Sequence, residues 1–263
     1  MDYLYDGSFE GLLTCIYHHY YREAADGIYP AQGYQPSLLH SSCIVTTDPA
    51  CADRVSRGIR GKISPFALRL VYYAALSSGA GKENLILDYL RLGFRLGGKI
   101  DYLHAHPQVR PVHKLARLVG GEAHRLLGLL RFSDKGGYLY APCSPDHAVL
   151  ELLADHFADR LAAERWMIHD QKRNLAVIYD GQVTEERSSM GHRDRFLVPY
   201  PGPRWYLTDL QQKPESVLPE DDWYQELWKL YFRNISIETR YNPRLQAQFI
   251  PQRYRPHLTE FEK

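Results

Sequence analysis

The fold of this chain is decided between residues 122 and 181, where the sequence is EAHRLLGLLRFSDKGGYLYAPCSPDHAVLELLADHFADRLAAERWMIHDQKRNLAVIYDG. Short apolar segments and one amphipathic segment alternate here with turn residues. The pattern predicts a strand at Leu126–Phe132, a turn at Ser133–Gly137, a strand at Tyr138–Pro142, a helix from His147 to about Ala163, a strand at Arg165–His169, a loop at Asp170–Asn174 and a strand at Leu175–Tyr179. The simplest assembly of this hairpin, helix and hairpin is a four-stranded antiparallel sheet with the helix across one face.

The helix of this segment has polar residues on two different faces. Acidic residues recur every four positions and mark the solvent side, at Glu151, Asp155 and Asp159. His156 and Arg160 are also four apart, but they fall near the middle of the apolar arc. A buried guanidinium needs a partner, because burying an unpaired charge costs several kcal/mol at least. The candidate partners are Asp170 and Glu122.

Two interpretations of these four residues stay open. They form either a buried ion pair that ties the helix to the sheet, or a polar pocket that performs chemistry or grips a phosphate, since buried charges cluster at functional sites. Under the second interpretation the catalytic candidates are His156, Arg160, Asp170 and Glu122.

The chain upstream of residue 122 is predicted to be a helical layer. A strand at Tyr3–Tyr5 and a turn at Asp6-Gly7 lead into a helix capped by Ser8. Asp6 and Ser8 could instead hold a ligand, although capping is the commoner role. Residues 26–50 are predicted to be loop around one strand, Cys43–Thr47.

Three further helices are predicted in this part of the chain. One opens at Ser64-Pro65 and closes at Gly79, one runs from Glu83 to about Leu96, and one runs from about Gln108 to Val119, where Gly120-Gly121 closes it. Between residues 53 and 62 the sequence DRVSRGIRGK has four basic residues and one acid, a second segment that could face phosphates.

The last fifth of the chain, Trp223–Glu260, is rich in aromatic and basic residues and is predicted to dock on the rest. Pro219 and the three acids after it predict the start of a mostly buried helix, because an early proline loses no needed hydrogen bond and carboxylates suit the positive end of the helix dipole. Asn242-Pro243, Pro251 and Pro256 then predict an extended tail without regular structure.

A local excess of positive charge accompanies this segment. Residues 227–257 hold six cations against one acid. A solvated helix face is one interpretation, and a phosphate-binding edge with rings for base stacking is the other. The candidate nucleic-acid contacts are Lys229, Arg233, Arg240, Arg244, Arg253 and Arg255.

Composition restricts the class of protein. The 263 residues are 44% apolar and carry 32 basic against 31 acidic side chains, so any nucleic-acid site is local. The four cysteines form no C-x-x-C pair, and no signal peptide precedes them, which predicts reduced thiols in a cytoplasmic protein. No apolar run reaches the roughly 18 residues of a membrane span. We expect a single domain, 1–263, with parts at 1–121, 122–181, a Pro-rich connector at 199–221, and 222–263.

The sequence does not favour a metal or a common cofactor. Asp101, His104, His106 and His113 are close in sequence, but histidines two apart do not share a helix face and Pro107 breaks the element. No P-loop, G-x-G-x-x-G, G-x-S-x-G or H-E-x-x-H motif occurs. We therefore expect no metal and no cofactor.

Nearly the whole chain resembles a bacterial family described as DNA repair or DNA metabolism proteins, a domain of unknown function. The resemblance rests on the Tyr5-Asp6-Gly7-Ser8 start, Glu122-x-His124, Leu130-Arg131-Phe132, Tyr140-Ala141, Pro145, His156-Phe157-x-x-Arg160, Trp166-x-Ile168-x-Asp170-x-Lys172-Arg173, Trp228-Lys229, Phe232, Ile235, Arg240, Asn242-Pro243, Arg253-Tyr254 and Leu258-x-Glu260. The family is found beside a DNA-repair radical-SAM protein and is sometimes joined to a uracil-DNA-glycosylase-like domain. The resemblance implies a setting in DNA repair and no mechanism. This chain lacks the iron–sulfur cysteine triplet and the glycosylase part.

Three functions are consistent with these observations. A nucleic-acid-binding accessory of DNA repair fits the basic tail, the 53–62 segment and the DNA-repair proteins beside which the family is found. A subunit that docks on the radical-SAM protein without binding DNA fits the aromatic tail. An enzyme that acts on DNA fits the group formed by His156, Arg160 and Asp170.

Overall fold

A computed structural model describes residues 1–36, 41–181, 205–210, 243–258 and 261. The predicted helix that follows Pro219 and the Pro-rich connector at 199–221 lie outside them, apart from the strand at 205–209. The mixture of helices and small sheets confirms the predicted α+β class. The described residues divide into an N-terminal unit that ends at Gly120 and a C-terminal unit that begins at Gly121.

The N-terminal unit contains a three-stranded parallel sheet in the order β2-β1-β3. Its strands are β1 (Asp2–Tyr5), β2 (Gly27–Pro30) and β3 (Ser42–Ile44). Asp2 pairs with Gly27 on one side and with Ser42 on the other. β1 agrees with the prediction, whereas β2 was missed because four residues that end in Pro30 form too short a pattern.

The same unit contains four helices and the start of a fifth. They are α1 (Phe9–Tyr21), α2 (Pro49–Lys62), α3 (Pro65–Ala75), α4 (Lys82–Leu96) and α5 (Arg110–Leu129), with a 3-10 helix at Gly97–Tyr102. Of these helices, α1 and α4 contact the sheet. Ser8 caps α1 and Ser64 caps α3 through hydroxyl groups that accept backbone N–H bonds, as predicted. The core of the unit lies among Leu12, Leu13, Ile16, Ile59, Leu68, Ile86, Leu87 and Leu90, which are buried.

α5 corrects two predictions. The helix does not close at Gly120-Gly121, and the strand predicted at Leu126–Phe132 is mostly its last turns. Buried apolar residues continue at helical spacing across the glycines, at Val112, Ala116, Val119, Ala123 and Leu126. Each interior glycine costs about 1 kcal/mol relative to alanine, and this continuous apolar face outweighs that cost.

The C-terminal unit contains a five-stranded sheet in sequence order, β4 to β8. Its strands are β4 (Ser133–Asp134), β5 (Leu139–Cys143), β6 (Trp166–Asp170), β7 (Leu175–Tyr179) and β8 (Trp205–Asp209). The predicted four-stranded antiparallel sheet is wrong, because β5 and β6 are parallel. α6 (Leu150–Arg160) lies between these strands in sequence, and a helix long enough to cross over lets the next strand return in the same direction.

The C-terminal segment is more regular than predicted. Pro243–Phe249 form a short helix, α7, and Gln252–His257 form a 3-10 helix. Proline is tolerated at the first position of α7, since the missing N–H has no partner within a helix there. Among the helices that the structure describes, none combines the length and apolarity needed to cross a membrane.

Candidate functional site

A buried carboxylate on α5 connects three separate parts of the C-terminal unit. Glu122 is 1% exposed. Its Oε1 accepts the backbone N–H of Asp146 at 3.0 Å, and its Oε2 accepts that of His147 at 2.7 Å. The Tyr254 hydroxyl donates to Oε1 at 2.6 Å. The charge of Glu122 is therefore stabilised by three donors, one of them from the C-terminal 3-10 helix.

Arg253 lies on the solvent side of Glu122, Asp146 and Tyr254. Its Nη1 lies 3.0 Å from Asp146 Oδ2, and its Nη2 donates to the Tyr254 hydroxyl at 3.0 Å. The guanidinium also lies over the Tyr254 ring, 4.8 Å from the centroid. Its distance of 3.6 Å to Glu122 Oε1 is too long for a hydrogen bond, so Tyr254 links the two charges.

A second buried carboxylate holds the turn between β6 and β7. Asp170 is fully buried, and its Oδ1 accepts the backbone N–H groups of Lys172 and Arg173 at 3.0 and 3.2 Å. Its Oδ2 pairs with Arg173 Nη1 at 2.8 Å. Arg173 also donates to the carbonyl oxygens of Pro145 and Asp146. Glu122 directly, and Asp170 through Arg173, therefore fix the same loop, Pro145–His147.

We call the set Glu122, Asp146, Asp170, Arg173, Arg253 and Tyr254 the carboxylate cluster. Burial shifts the titration of groups in and around it. Burial and the hydrogen bond to Glu122 raise the pKa of Tyr254, so the hydroxyl stays protonated as the donor. Burial also raises the pKa of the Cys143 thiol and lowers the pKa of His147. Cys143 is therefore an unreactive core thiol, and His147 is neutral near pH 7.

The geometry of the carboxylate cluster favours a structural role, in which the cluster attaches the C-terminal 3-10 helix to the rest of the unit. Every carboxylate oxygen of Glu122 and Asp170 accepts a donor from the protein. The C-terminal 3-10 helix is held by Tyr254 and by His257, whose Nε2 lies 3.1 Å from Ser144 Oγ. Both buried carboxylates therefore have structural partners, but neither forms the predicted ion pair with Arg160 that would tie the helix to the sheet.

The position predicted for His156 and Arg160 is wrong. Both residues are exposed. α6 buries a narrower set of residues than its apolar content suggests, namely Leu150, Leu153, Ala154, Phe157 and Ala158. Glu122 and Asp170 are paired with Arg253 and Arg173 instead of Arg160. A catalytic role for the four predicted residues stays a prediction.

The cations predicted to contact nucleic acid have different surroundings. Lys229, Arg233 and Arg240 lie outside the described residues. Arg244 is exposed on α7. Arg255 lies over the Phe261 ring at 4.9 Å, and Arg253 belongs to the carboxylate cluster.

A second basic surface lies on α1 and α2 of the N-terminal unit. Every cation of the 53–62 segment is exposed on α2, at Arg54, Arg57, Arg60 and Lys62. The Arg54 guanidinium lies 4.7 Å from the centroid of the Tyr21 ring, and Tyr21 stacks on Tyr17 at 4.5 Å. Tyr21 is 55% exposed. We call Tyr21 and these four cations the basic–aromatic surface.

The described residues contain no group of three or more histidine, cysteine or acidic side chains that could hold a metal ion. His104 and His113 are edge to face, with ring centroids 5.0 Å apart. Burial, with a smaller contribution from the neighbouring His104, lowers the pKa of His113. A lowered pKa keeps the imidazole neutral near pH 7.

Three residues of the carboxylate cluster, Asp146, Arg173 and Tyr254, were not among the candidate site residues predicted from the sequence. Asp146 follows a Ser-Pro pair in a loop, where an acid looks like an ordinary turn residue. Arg173 lies three residues after Asp170 across a turn. This spacing was the signal in the sequence from which their ion pair could have been predicted. The partner of Tyr254 had no local signal, since Glu122 lies 132 residues away.

A family model described as Domain of unknown function (DUF4130) matches residues 80–260. The match covers more than half of the chain, so the chain belongs to this family. The matched region contains the whole carboxylate cluster. No curated protein and no solved structure matches the chain.

Proposed function

We propose that this member of the DUF4130 family is a nucleic-acid-binding accessory protein of DNA repair. It would act in the cytoplasm together with a radical-SAM protein, in agreement with the resemblance described above. The observation that carries the proposal is the basic–aromatic surface, where an arginine lies against an exposed tyrosine ring.

The basic–aromatic surface has the two features that single-stranded nucleic acids require. Exposed cations at Arg54 and Arg57 are three residues apart on α2, and they can contact successive phosphates. Arg57 already pairs with Asp53 at 2.8 Å, but an exposed ion pair contributes at most about 1 kcal/mol. A phosphate can therefore replace that carboxylate. The Tyr21 ring offers a face on which a base can stack.

The carboxylate cluster supports the tail cations in this proposal and does not itself contact DNA. Tyr254 and Arg253 attach the 3-10 helix to α5, which fixes the position of Arg255 in the same helix. Arg253 pairs with Asp146 and donates to the Tyr254 hydroxyl, so its removal would also perturb the carboxylate cluster. Arg244 and Arg255 are the described tail candidates for phosphate contact that lie outside the carboxylate cluster.

The test is fluorescence anisotropy with single-stranded and duplex oligonucleotides across a salt series. The proteins are the wild type, Arg54→Ala/Arg57→Ala and Arg244→Ala/Arg255→Ala. Lys114→Ala/Arg117→Ala is the control, since it removes two exposed cations from α5 outside both surfaces. We expect log K to fall linearly with log salt, and the slope to decrease by about one to two in the α2 variant. We expect the control to behave as the wild type.

An equal loss of oligonucleotide affinity in all three variants would show that only the net charge of the protein matters. That result would contradict the proposed surface. If neither oligonucleotide binds at low salt, the nucleic-acid proposal is wrong. The alternative is then a docking subunit, which the exposed apolar ring of Phe249 on α7 favours. Phe249→Ser would then weaken a complex with the radical-SAM protein in a pull-down with purified components.

A further inference from the structure

A cavity of about 630 Å³ opens in the N-terminal unit. It lies between residues 29–35, which form the end of β2 and the loop after it, and residues 77–83, which form the loop after α3 and the first residues of α4. Asp2 completes the wall. Small-molecule sites in proteins have volumes of roughly 300 to 1,000 Å³, so this cavity can hold a ligand of the size of a nucleoside.

Two buried carboxylates line the cavity. Asp2 is 4% exposed and Glu83 is 3% exposed. The Tyr34 hydroxyl donates to Asp2 Oδ2 at 2.8 Å, and the Tyr5 hydroxyl donates to Glu83 Oε1 at 3.0 Å. An ionised carboxylate has about four acceptor positions. Both groups therefore keep acceptor capacity on the wall of the cavity.

No cation of the described residues forms an ion pair with either carboxylate. Lys82 also lines the cavity, but its ammonium group donates to the carbonyl oxygens of Ala75 and Ser77 at 2.6 and 2.8 Å. Those two bonds satisfy carbonyl oxygens at and just beyond the end of α3. A buried carboxylate without a cation is costly unless further donors reach it. The wall thus favours a ligand that brings N–H donors.

Aromatic rings supply the remaining part of the wall. Tyr29 and Tyr34 both line the cavity, and their ring centroids are 5.4 Å apart with a tilt of 43°. Rings of this kind favour flat ligands and cations, because their faces are electron-rich. A ligand that fits this wall is therefore flat and carries N–H donors.

We propose that this cavity binds a planar ligand with adjacent N–H donors along one edge. A guanidinium group and the edge of a guanine base both have this chemistry. The carboxylates of Asp2 and Glu83 would accept the N–H donors, and a tyrosine ring would contact one flat face of the ligand. This site is separate from the basic–aromatic surface and does not depend on the proposed function.

The proposal is tested by isothermal titration of the full chain with two probes, guanosine and agmatine. The variants are Glu83→Gln and Asp2→Asn, which replace an acceptor oxygen by an amide that donates. Asp88→Asn is the control, since it makes the same change on the exposed face of α4. Gln32→Trp, an exposed residue of the cavity wall, narrows the cavity without altering the core.

We expect at least one probe to bind the wild type and the Asp88→Asn variant with equal affinity. Loss of a charged hydrogen bond should weaken binding about tenfold or more in Glu83→Gln and Asp2→Asn. Binding of guanosine alone identifies a base as the ligand, and binding of agmatine alone identifies a guanidinium group. If a carboxylate variant does not fold, as judged by circular dichroism, Gln32→Trp must weaken binding on its own. Saturable binding of neither probe, or equal binding to all variants, would overturn the proposal.

Discussion

Glu122 shows how one buried side chain joins distant parts of the chain. Its oxygens accept two consecutive backbone N–H groups of the loop before α6 and the hydroxyl of Tyr254. Removal of the charge leaves these donors facing an amide or a void, and a buried donor without an acceptor costs about 1 to 3 kcal/mol. The role of this glutamate is therefore measurable as stability.

We predict that Glu122→Gln lowers the free energy of unfolding by about 2 kcal/mol. The glutamine amide presents N–H groups to at least one of the N–H donors of Asp146 and His147, so one hydrogen bond is replaced by a repulsion. Urea unfolding followed by circular dichroism measures the change. Glu164→Gln, at an exposed position, is the matched control and should change stability by less than about 0.5 kcal/mol.

A double-mutant cycle with Tyr254→Phe tests whether the effect passes through the cluster. If Glu122 and Tyr254 interact directly, the double variant should be less destabilised than the sum of the single variants, by about 0.5 to 3 kcal/mol. Strict additivity would show that the tyrosine hydroxyl and the carboxylate act independently, against the bond seen between them.

At the scale of the element, two glycines within helices have opposite surroundings. Gly128 lies near the end of α5, and a methyl group there would have no neighbour within 4 Å. Gly11 lies in the first turn of α1, where a methyl group would overlap the Asp6 carboxylate and lie 2.9 Å from Thr47 Oγ1. The Asp6 carboxylate accepts bonds from Ser8 and Thr47 at this point, so it cannot move without loss.

The same substitution should therefore have opposite effects in the two helices. We expect Gly128→Ala to raise the free energy of unfolding by up to about 0.5 to 1 kcal/mol, because alanine restricts the unfolded chain and favours the helix. We expect Gly11→Ala to lower it by about 1 to 3 kcal/mol through overpacking. Urea unfolding of both variants checks this. A stabilised Gly11→Ala variant would show that the turn at Asp6 is not fixed as the structure has it.

At the scale of the whole molecule, the distribution of charge is more informative than its sum. The net charge is only +1, yet Arg54, Arg57, Arg60 and Lys62 lie exposed on one helix. Such local patches attract a polyanion even when the protein is neutral overall. The effect is sensitive to salt, since the Debye length is about 8 Å at physiological ionic strength.

The sequence predicts a single domain, and the structure divides into two compact units. α5 runs through the division at Gly120 and contributes residues to both units. Unfolding of one unit would remove the packing of half of this continuous helix, so we expect one cooperative transition. Differential scanning calorimetry should give equal calorimetric and van't Hoff enthalpies.

Two separate transitions would contradict the single-domain prediction. In that case Gly11→Ala would shift only the transition of the N-terminal unit, and Glu122→Gln would shift only the other. A single transition that both variants move together supports one folding domain.

Features that depend on neighbouring residues can be predicted from the amino-acid sequence alone. Ser8 and Ser64 mark helix starts through their hydroxyl groups, and the short run of apolar and β-branched residues at Leu175–Tyr179 marks a strand. Capping bonds and strand propensity both act over a few positions. The α+β class follows from these local signals. The basic segment at 53–62 was also visible, since exposed charge needs no partner.

Features that depend on distant partners are visible only in the folded structure. In the structure β5 and β6 are parallel, and α5 continues through two glycines. His156 and Arg160 are exposed, and the partners of Glu122 are Tyr254 and Arg253. Strand direction, the rotation of a helix about its axis and the choice of ion-pair partner are set by packing against residues far away in sequence. Local propensity differs by only about 1 kcal/mol per residue, so the burial of a whole apolar face overrides it.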